Sequence, residues 1–113
     1  MLVDTDALIW NLRGNAHAAE LLDTAAPFTL SAVTYMELVP DVRDKSELQV
    51  LRQAIPYWTA DIQAIDPDIS ARAMYQVESH ALSNGMQMAD ALIAATALSL
   101  GVPLLTANGR HYR

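Results

Sequence analysis

The stretch Met1-Leu2-Val3-Asp4-Thr5-Asp6-Ala7-Leu8-Ile9-Trp10 sets the frame for the rest of the chain. A short apolar run ends in a carboxylate, two polar residues follow, and Ala7 to Leu12 is compatible with a helix. This pattern predicts a buried first strand that delivers Asp4 to the mouth of a sheet, with Asp4, Thr5 or Asp6 capping the helix beyond it. In open α/β sheets, ligands collect outside the carboxyl ends of the strands. A carboxylate placed there can hold a cation. The question for the remaining sequence is whether it brings further oxygen ligands to the same edge.

Working outward, Gly14-Asn15 breaks the first helix and Ala16 to Thr24 forms a second, with Ala18, Leu21 and Leu22 on its inner side. After Pro27, Phe28 to Ser31 reads as a second strand, and Ala32 to Leu38 turns helical and carries Glu37. Asp44 caps a helix that runs to about Ile55 and stops at Pro56, while Ile62 to Ile65 is expected to be a third strand. Asp66-Pro67-Asp68 starts a helix toward Leu82, which Ser83-Asn84-Gly85 ends. Met88 to Leu100 is apolar on nearly all sides and rich in alanine, as expected of a central helix packed on more than one face. Gly101 closes it, Val102 to Thr106 reads as a last strand, and Ala107 to Arg110 as the loop past its end. Strands separated by helices predict an α/β fold, three layers in α/β/α order around a short central parallel sheet.

Composition narrows the function. With 113 residues, 52% of them hydrophobic, the chain can fill the core of one domain, residues 1–113. There is no cysteine, so neither a disulfide framework nor a thiolate zinc site is available. The N-terminus lacks the pattern of a signal peptide, and no apolar run approaches a bilayer span, so a cytoplasmic protein without membrane contact is expected. A net charge of −6 argues against a broadly basic nucleic-acid-binding face, but not against a nucleic-acid enzyme whose negative charge is partly a metal site.

Four polar groups stand beside apolar segments that would anchor them: Asp4 after the first strand, Glu37 in the helix after the second, Asp90 at the start of the central helix and Asn108 after the last strand. A parallel sheet brings such ends together, and carboxylates sharing a small space repel unless a cation intervenes. Hard divalent ions prefer oxygen donors, so Mg²⁺, with Mn²⁺ as a substitute, suits this set better than zinc. Such a site can polarise a phosphate oxygen and lower the pKa of a bound water. Each member also has a structural reading: Asp4 as a helix cap, Thr34-Tyr35-Met36-Glu37 as a capping box, Asp90 as a complement to a helix dipole and Asn108-Gly109 as a turn. His17 and His80 read as surface residues, and His111, near Asn108, as structural or as a phosphate contact.

In four places these residues resemble the PIN domain family. Leu2 to Ile9 looks like its opening; Ser31-Ala32-Val33-Thr34-Tyr35-Met36-Glu37-Leu38 resembles its second motif; Asp90-Ala91-Leu92-Ile93-Ala94-Ala95-Thr96-Ala97 resembles its third and most specific one. Leu105-Thr106-Ala107-Asn108-Gly109-Arg110-His111-Tyr112 is similar to its C-terminal segment. All four stand in family order, and the chain's size points to VapC-type toxins of toxin–antitoxin pairs. The resemblance implies a Mg²⁺- or Mn²⁺-dependent endoribonuclease with Asp4, Glu37 and Asp90 as metal-binding catalytic acids. Asn108 falls where the family has a fourth acid or an asparagine. Thr106, with Asp6 and Thr5, is placed to support these groups by hydrogen bonding, and Arg110 and His111 to touch RNA. The resemblance further implies a homodimer and an inhibitory antitoxin through which DNA is contacted only indirectly. Two departures stand out: the family's short final strand is not reached, and Val39-Pro40-Asp41-Val42 replaces a glycine-containing basic turn.

Two other functions compete with this reading. Asp4-Thr5-Asp6 superficially matches the Asp-x-Asp start of haloacid-dehalogenase-type phosphatases, but no Gly-Thr follows and the only lysine, Lys45, lacks a matching context. The other is a degenerate PIN domain that only binds a partner, against which the three retained acids speak.

Overall fold

The computed structural model describes residues 1–83 and 85–107. Along the chain come β1 (Leu2–Val3), α1 (Thr5–Leu12), α2 (Ala16–Ala25), β2 (Thr29–Ser31), α3 (Ala32–Asp41), α4 (Lys45–Tyr57), β3 (Asp61–Gln63), α5 (Pro67–His80), α6 (Met88–Leu100) and β4 (Leu104–Leu105). The strands pair in parallel in the order β3-β2-β1-β4. The chain therefore adds strands in one direction from β1 and then returns through α5 and α6 to the other side of it. The crevice between the carboxyl ends of β1 and β4 is the topological switch point, where open α/β sheets bind ligands.

Successive strand residues face opposite sides of a sheet, and this divides the core. Val3 joins Ala7, Leu8, Leu22, Phe28, Leu30, Leu38, Leu51 and Trp58 in a cluster built from α1, α2, α3 and α4. Leu2 faces the other way, toward Val33, Ile93 and Ala97. Leu105 and Leu104 repeat that division in β4. The result is the expected α/β/α layering. The fully buried leucines of the first cluster each contribute roughly 1.5–3 kcal/mol by leaving water.

The alanine-rich α6 packs on two faces, as its composition predicts. Ile93 and Ala97 meet the sheet, while Ala91 and Ala95 lie against Ile69 and Ala73 of α5. Small side chains permit that close approach. The helix ends in a Schellman motif: Gly101, at φ +67°, donates to the Leu98 carbonyl at 3.2 Å and Val102 to that of Ala97 at 3.1 Å.

Boundaries differ from the sequence reading for local reasons. α1 begins at Thr5 rather than Ala7, because Asp4 takes the N-cap. β3 spans Asp61–Gln63 rather than Ile62–Ile65, because β2 offers three partners, Thr29, Leu30 and Ser31, before it becomes α3. β4 shrinks to Leu104–Leu105 for the same reason: β1 supplies only Leu2 and Val3. α4 continues through Pro56 to Tyr57; a proline in the last turn forfeits one hydrogen bond, and the buried Trp58 beyond it, 5.4 Å from the Phe28 ring, holds the end in place.

Candidate active site at the carboxyl edge of the sheet

Asp4 is the first residue after β1. Its N–H donates to the Leu105 carbonyl at 2.8 Å, so its backbone is pinned between β1 and β4. Its side chain is buried, with 6% of the residue exposed, and Oδ1 accepts the Thr5 N–H at 2.7 Å. A buried charge is costly without partners. The N–H of Thr5 and the positive end of α1 offset part of that cost.

Thr5, also buried, reaches in a second direction. Its hydroxyl lies 2.7 Å from Glu37 Oε1 and 3.0 Å from Thr34 Oγ1. A hydroxyl has one proton to give. The carboxylate, at the shorter distance, takes it, and the wholly buried Thr34 hydroxyl donates to the Thr5 oxygen. The relay Thr34 to Thr5 to Glu37 polarises each bond along its length. One residue thus holds Asp4 through its N–H and Glu37 through its hydroxyl.

Glu37 is free for this because Ser31, not Thr34, caps α3: its Oγ accepts the Val33 N–H at 3.0 Å. The capping box read from Thr34-x-x-Glu37 does not form. Thr34 sits inside the first turn instead and supports Thr5. The sequence reading missed Thr34 as part of the site; the Ser31-Ala32-Val33-Thr34-Tyr35-Met36-Glu37 spacing, three residues apart each time, is the signal that places all three polar groups along one stripe of α3.

Asp6 forms a second cross-link. Its Oδ2 accepts the Thr106 hydroxyl at 2.6 Å and its Oδ1 the Ala107 N–H at 3.3 Å, joining the first turn of α1 to the chain beyond β4. Asp90 lies in the first turn of α6 and is exposed. Because α6 returns through Gly101 to Pro103, whose carbonyl meets the Leu2 N–H at the amino end of β1, it runs against the strands and starts toward their carboxyl edge. Ala89, one residue before Asp90, packs against the cluster formed by Leu2, Val33, Ile93 and Ala97. No hydrogen bond among the described residues joins Asp90 to the Asp4–Thr5–Glu37 group, and no three His, Asp or Glu side chains among them gather closely enough to enclose an ion. Asn108, Arg110 and His111 lie outside the described residues. His17 is exposed on α2, and His80 ends α5.

The donor chemistry suits a hard cation, since carboxylate and hydroxyl oxygens make up the group. Its number is modest: two acids joined through Thr5, with a third on the neighbouring helix. Mg²⁺ accepts that, because it commonly keeps several waters and takes one or two protein carboxylates. The ion pairs of the described residues, Arg13–Asp41, Arg43–Glu47 and Arg72–Asp68, engage none of Asp6, Glu37 and Asp90.

A family model described as PIN domain matches residues 1–113. The chain belongs to the PIN domain family. This PIN domain is 35% identical to Ribonuclease VapC19 of Mycobacterium tuberculosis over 120 residues, covering 98% of this chain and 90% of that protein. Its fold matches a chain of a toxin–antitoxin complex from Klebsiella pneumoniae with a TM-score of 0.81 and 28% identity, over 96% of this chain and 87% of that one. It also matches a chain of DNA-bound VapBC from Salmonella typhimurium with a TM-score of 0.76, over 96% of this chain and 86% of that one; at 19% identity this likeness concerns the fold alone. The three-layer parallel architecture is thus shared with these structures; in this chain Asp4 follows β1, Glu37 lies in α3 and Asp90 in the first turn of α6.

Proposed function

We propose that this PIN domain is an endoribonuclease, the toxin of a toxin–antitoxin pair, that hydrolyses RNA phosphodiester bonds with Mg²⁺ or, in its place, Mn²⁺. The observation that carries this reading is the pairing of buried Asp4 with Glu37 through Thr5 at the switch point of the sheet. The identity to a named ribonuclease along nearly the whole chain supports it. Asp4 and Glu37 would hold the ion, with Asp90 as the third acid and Asn108 as a neutral oxygen donor. When bound, the ion supplies charge stabilisation for the phosphate and a more acidic water. The protein's part is to fix the acids: β1 and β4 clamp Asp4, Thr5 orients Glu37, and the core beneath keeps their backbones still. The products expected carry 5′-phosphate and 3′-hydroxyl ends.

An antitoxin partner follows from the same relatives, of which one is a toxin–antitoxin complex at 28% identity. A homodimer in the cytoplasm completes the reading; no helix among the described residues is long and apolar enough to cross a membrane.

The test replaces Asp4 or Asp90 by Asn and measures RNA cleavage with Mn²⁺, Mn²⁺ affinity by calorimetry, and thermal unfolding. Loss of a charge-stabilising group predicts a fall of about a hundredfold or more in rate with the fold retained. Cleavage at the parent rate by the Asp4→Asn protein would defeat the assignment.

A further inference from the structure

Asp6 is an acid that sits one residue from the site yet faces elsewhere. Both of its carboxylate oxygens are engaged by one segment: Oδ2 by the Thr106 hydroxyl at 2.6 Å and Oδ1 by the Ala107 N–H at 3.3 Å. The β1–β4 ladder is only two residues long, and its last backbone bond, from the Asp4 N–H to the Leu105 carbonyl, ends immediately before Thr106. Where the ladder stops, Asp6 takes over, tying residues a hundred positions apart in sequence. The next residue in the chain after Ala107 is Asn108.

We propose that Asp6 is a positioning residue and not a metal ligand: it acts through Thr106 and Ala107, fixing the direction in which the chain leaves β4 beside Asp4. The proposal rests on the ribonuclease reading for what this segment does, and on hydrogen-bond geometry alone for how it is held. A charge-assisted bond at 2.6 Å is the strong kind. Partners behind metal ligands are known to matter by about ten- to a hundredfold in affinity or activity. The consecutive side chains Asp4, Thr5 and Asp6 then divide the labour, the first facing the site, the second α3 and the third β4.

The chemistry separates positioning from ligation. An asparagine at position 6 can still serve as the latch: its Oδ1 accepts from Ala107 and its Nδ2 donates to the Thr106 oxygen, which reverses that bond without breaking it. As a metal ligand it would lack the charge. The experiment compares Asp6→Ala, Asp6→Asn, Thr106→Val and the double variant Asp6→Ala/Thr106→Val in the full chain. It reads kcat and KM on an RNA that the parent cleaves, Mn²⁺ affinity by calorimetry, and hydrogen exchange of the Ala107 amide by NMR. Asp6→Ala is expected to lose about ten- to a hundredfold in kcat, with KM little changed and Ala107 exchanging faster. Asp6→Asn is expected to keep most of the rate, Thr106→Val to resemble Asp6→Ala, and the double variant to be no worse than either single one, since coupled residues are not additive. Asp6→Asn as damaging as Asp6→Ala, with Mn²⁺ binding lost in both, overturns the proposal in favour of ligation; a parent-like kcat in Asp6→Ala overturns it in favour of a bystander. Should the parent cleave no RNA, the ribonuclease reading fails separately, and Ala107 exchange together with Mn²⁺ affinity still decides the role of Asp6.

Discussion

Replacing Thr5 by Val tests the core of the site, because valine keeps the shape and removes the hydroxyl. The bond lost to Glu37 is charge-assisted, and such bonds are worth about 1.5–3 kcal/mol; the lower end applies here because Glu37 faces solvent. The wholly buried Thr34 hydroxyl also loses its acceptor, a cost of about 1 kcal/mol, the low end for a buried polar group left unsatisfied. The added methyl group returns about 0.8 kcal/mol. The net loss is about 2 kcal/mol. At roughly 2.1 cal/mol/K of unfolding entropy per residue, a chain of this length should melt about 8 °C lower. Activity should fall further than stability accounts for, since Glu37 loses the group that orients it, whereas Thr5→Ser should retain both properties. Circular dichroism melting and RNA cleavage at a temperature where both variants are folded give the two readings. A Thr5→Val protein that melts with the parent and cleaves at its rate would show that the hydroxyl relay holds nothing of consequence.

Other perturbations follow from single contacts. Ser31→Ala removes the cap of α3, which should cost about 1 kcal/mol, lower the melting temperature by about 4 °C, and reduce activity only through Glu37. The Asp68 carboxyl is held below its ordinary 3.8, first by the Ser99 hydroxyl of α6 and then by the Arg72 guanidinium. A depressed folded value means the α5–α6 tie is fully present above 3.8 and lost as the pH falls through the lower, folded value. The melting difference between the parent and Asp68→Asn should therefore be steady near neutral pH and close only in stronger acid. RNA binding should depend weakly on salt: Lys45 and Arg52 form no ion pair among the described residues, and Arg110 and Arg113 follow them. Four phosphate contacts per chain would give a slope of log affinity against log salt of about −3. A steeper slope would mean that the exposed Arg13, Arg43 or Arg72 exchanges its carboxylate for phosphate, or that another chain adds basic residues.

The layering of the fold was legible because its signals are local. Leu2 and Val3 alternate and so divide between two helical layers, and the all-round apolar α6 had to be packed on both faces. Strand lengths were less legible because they depend on a partner: Ile62 to Ile65 carries the apolar pattern of a longer strand, but β2 runs out after Ser31. At the site, the positions of Asp4 and Glu37 followed from motif order, while their connection did not. Thr34-x-x-Glu37 is a good capping box on paper. That Ser31 takes the cap, leaving Thr34 to turn inward, is decided by the strand-to-helix junction having no loop. Thr5, which reads as an ordinary cap residue, becomes the hinge of the site only because α3 lies beside α1, a tertiary fact that no window of sequence contains.

The charge balance of the molecule bears on why these contacts sit at the start of α1. The chain is acidic, and three of its arginines are already neutralised by carboxylates of their own. A phosphodiester approaching Asp4 and Glu37 meets repulsion, and long-range steering by the protein's own field is weak. On the proposed reading, catalysis would depend on short-range order: a cation held by few carboxylates would need each of them fixed before it arrives, because it cannot draw a loose cage together at no cost. That need is met by placing three polar side chains in consecutive positions at a strand-to-helix junction. The backbone there is immobilised by β1 on one side and by α1 on the other, and each side chain departs toward a different neighbour. The same junction that gives the sheet its switch point thus supplies the rigidity that the surface charge of the protein cannot.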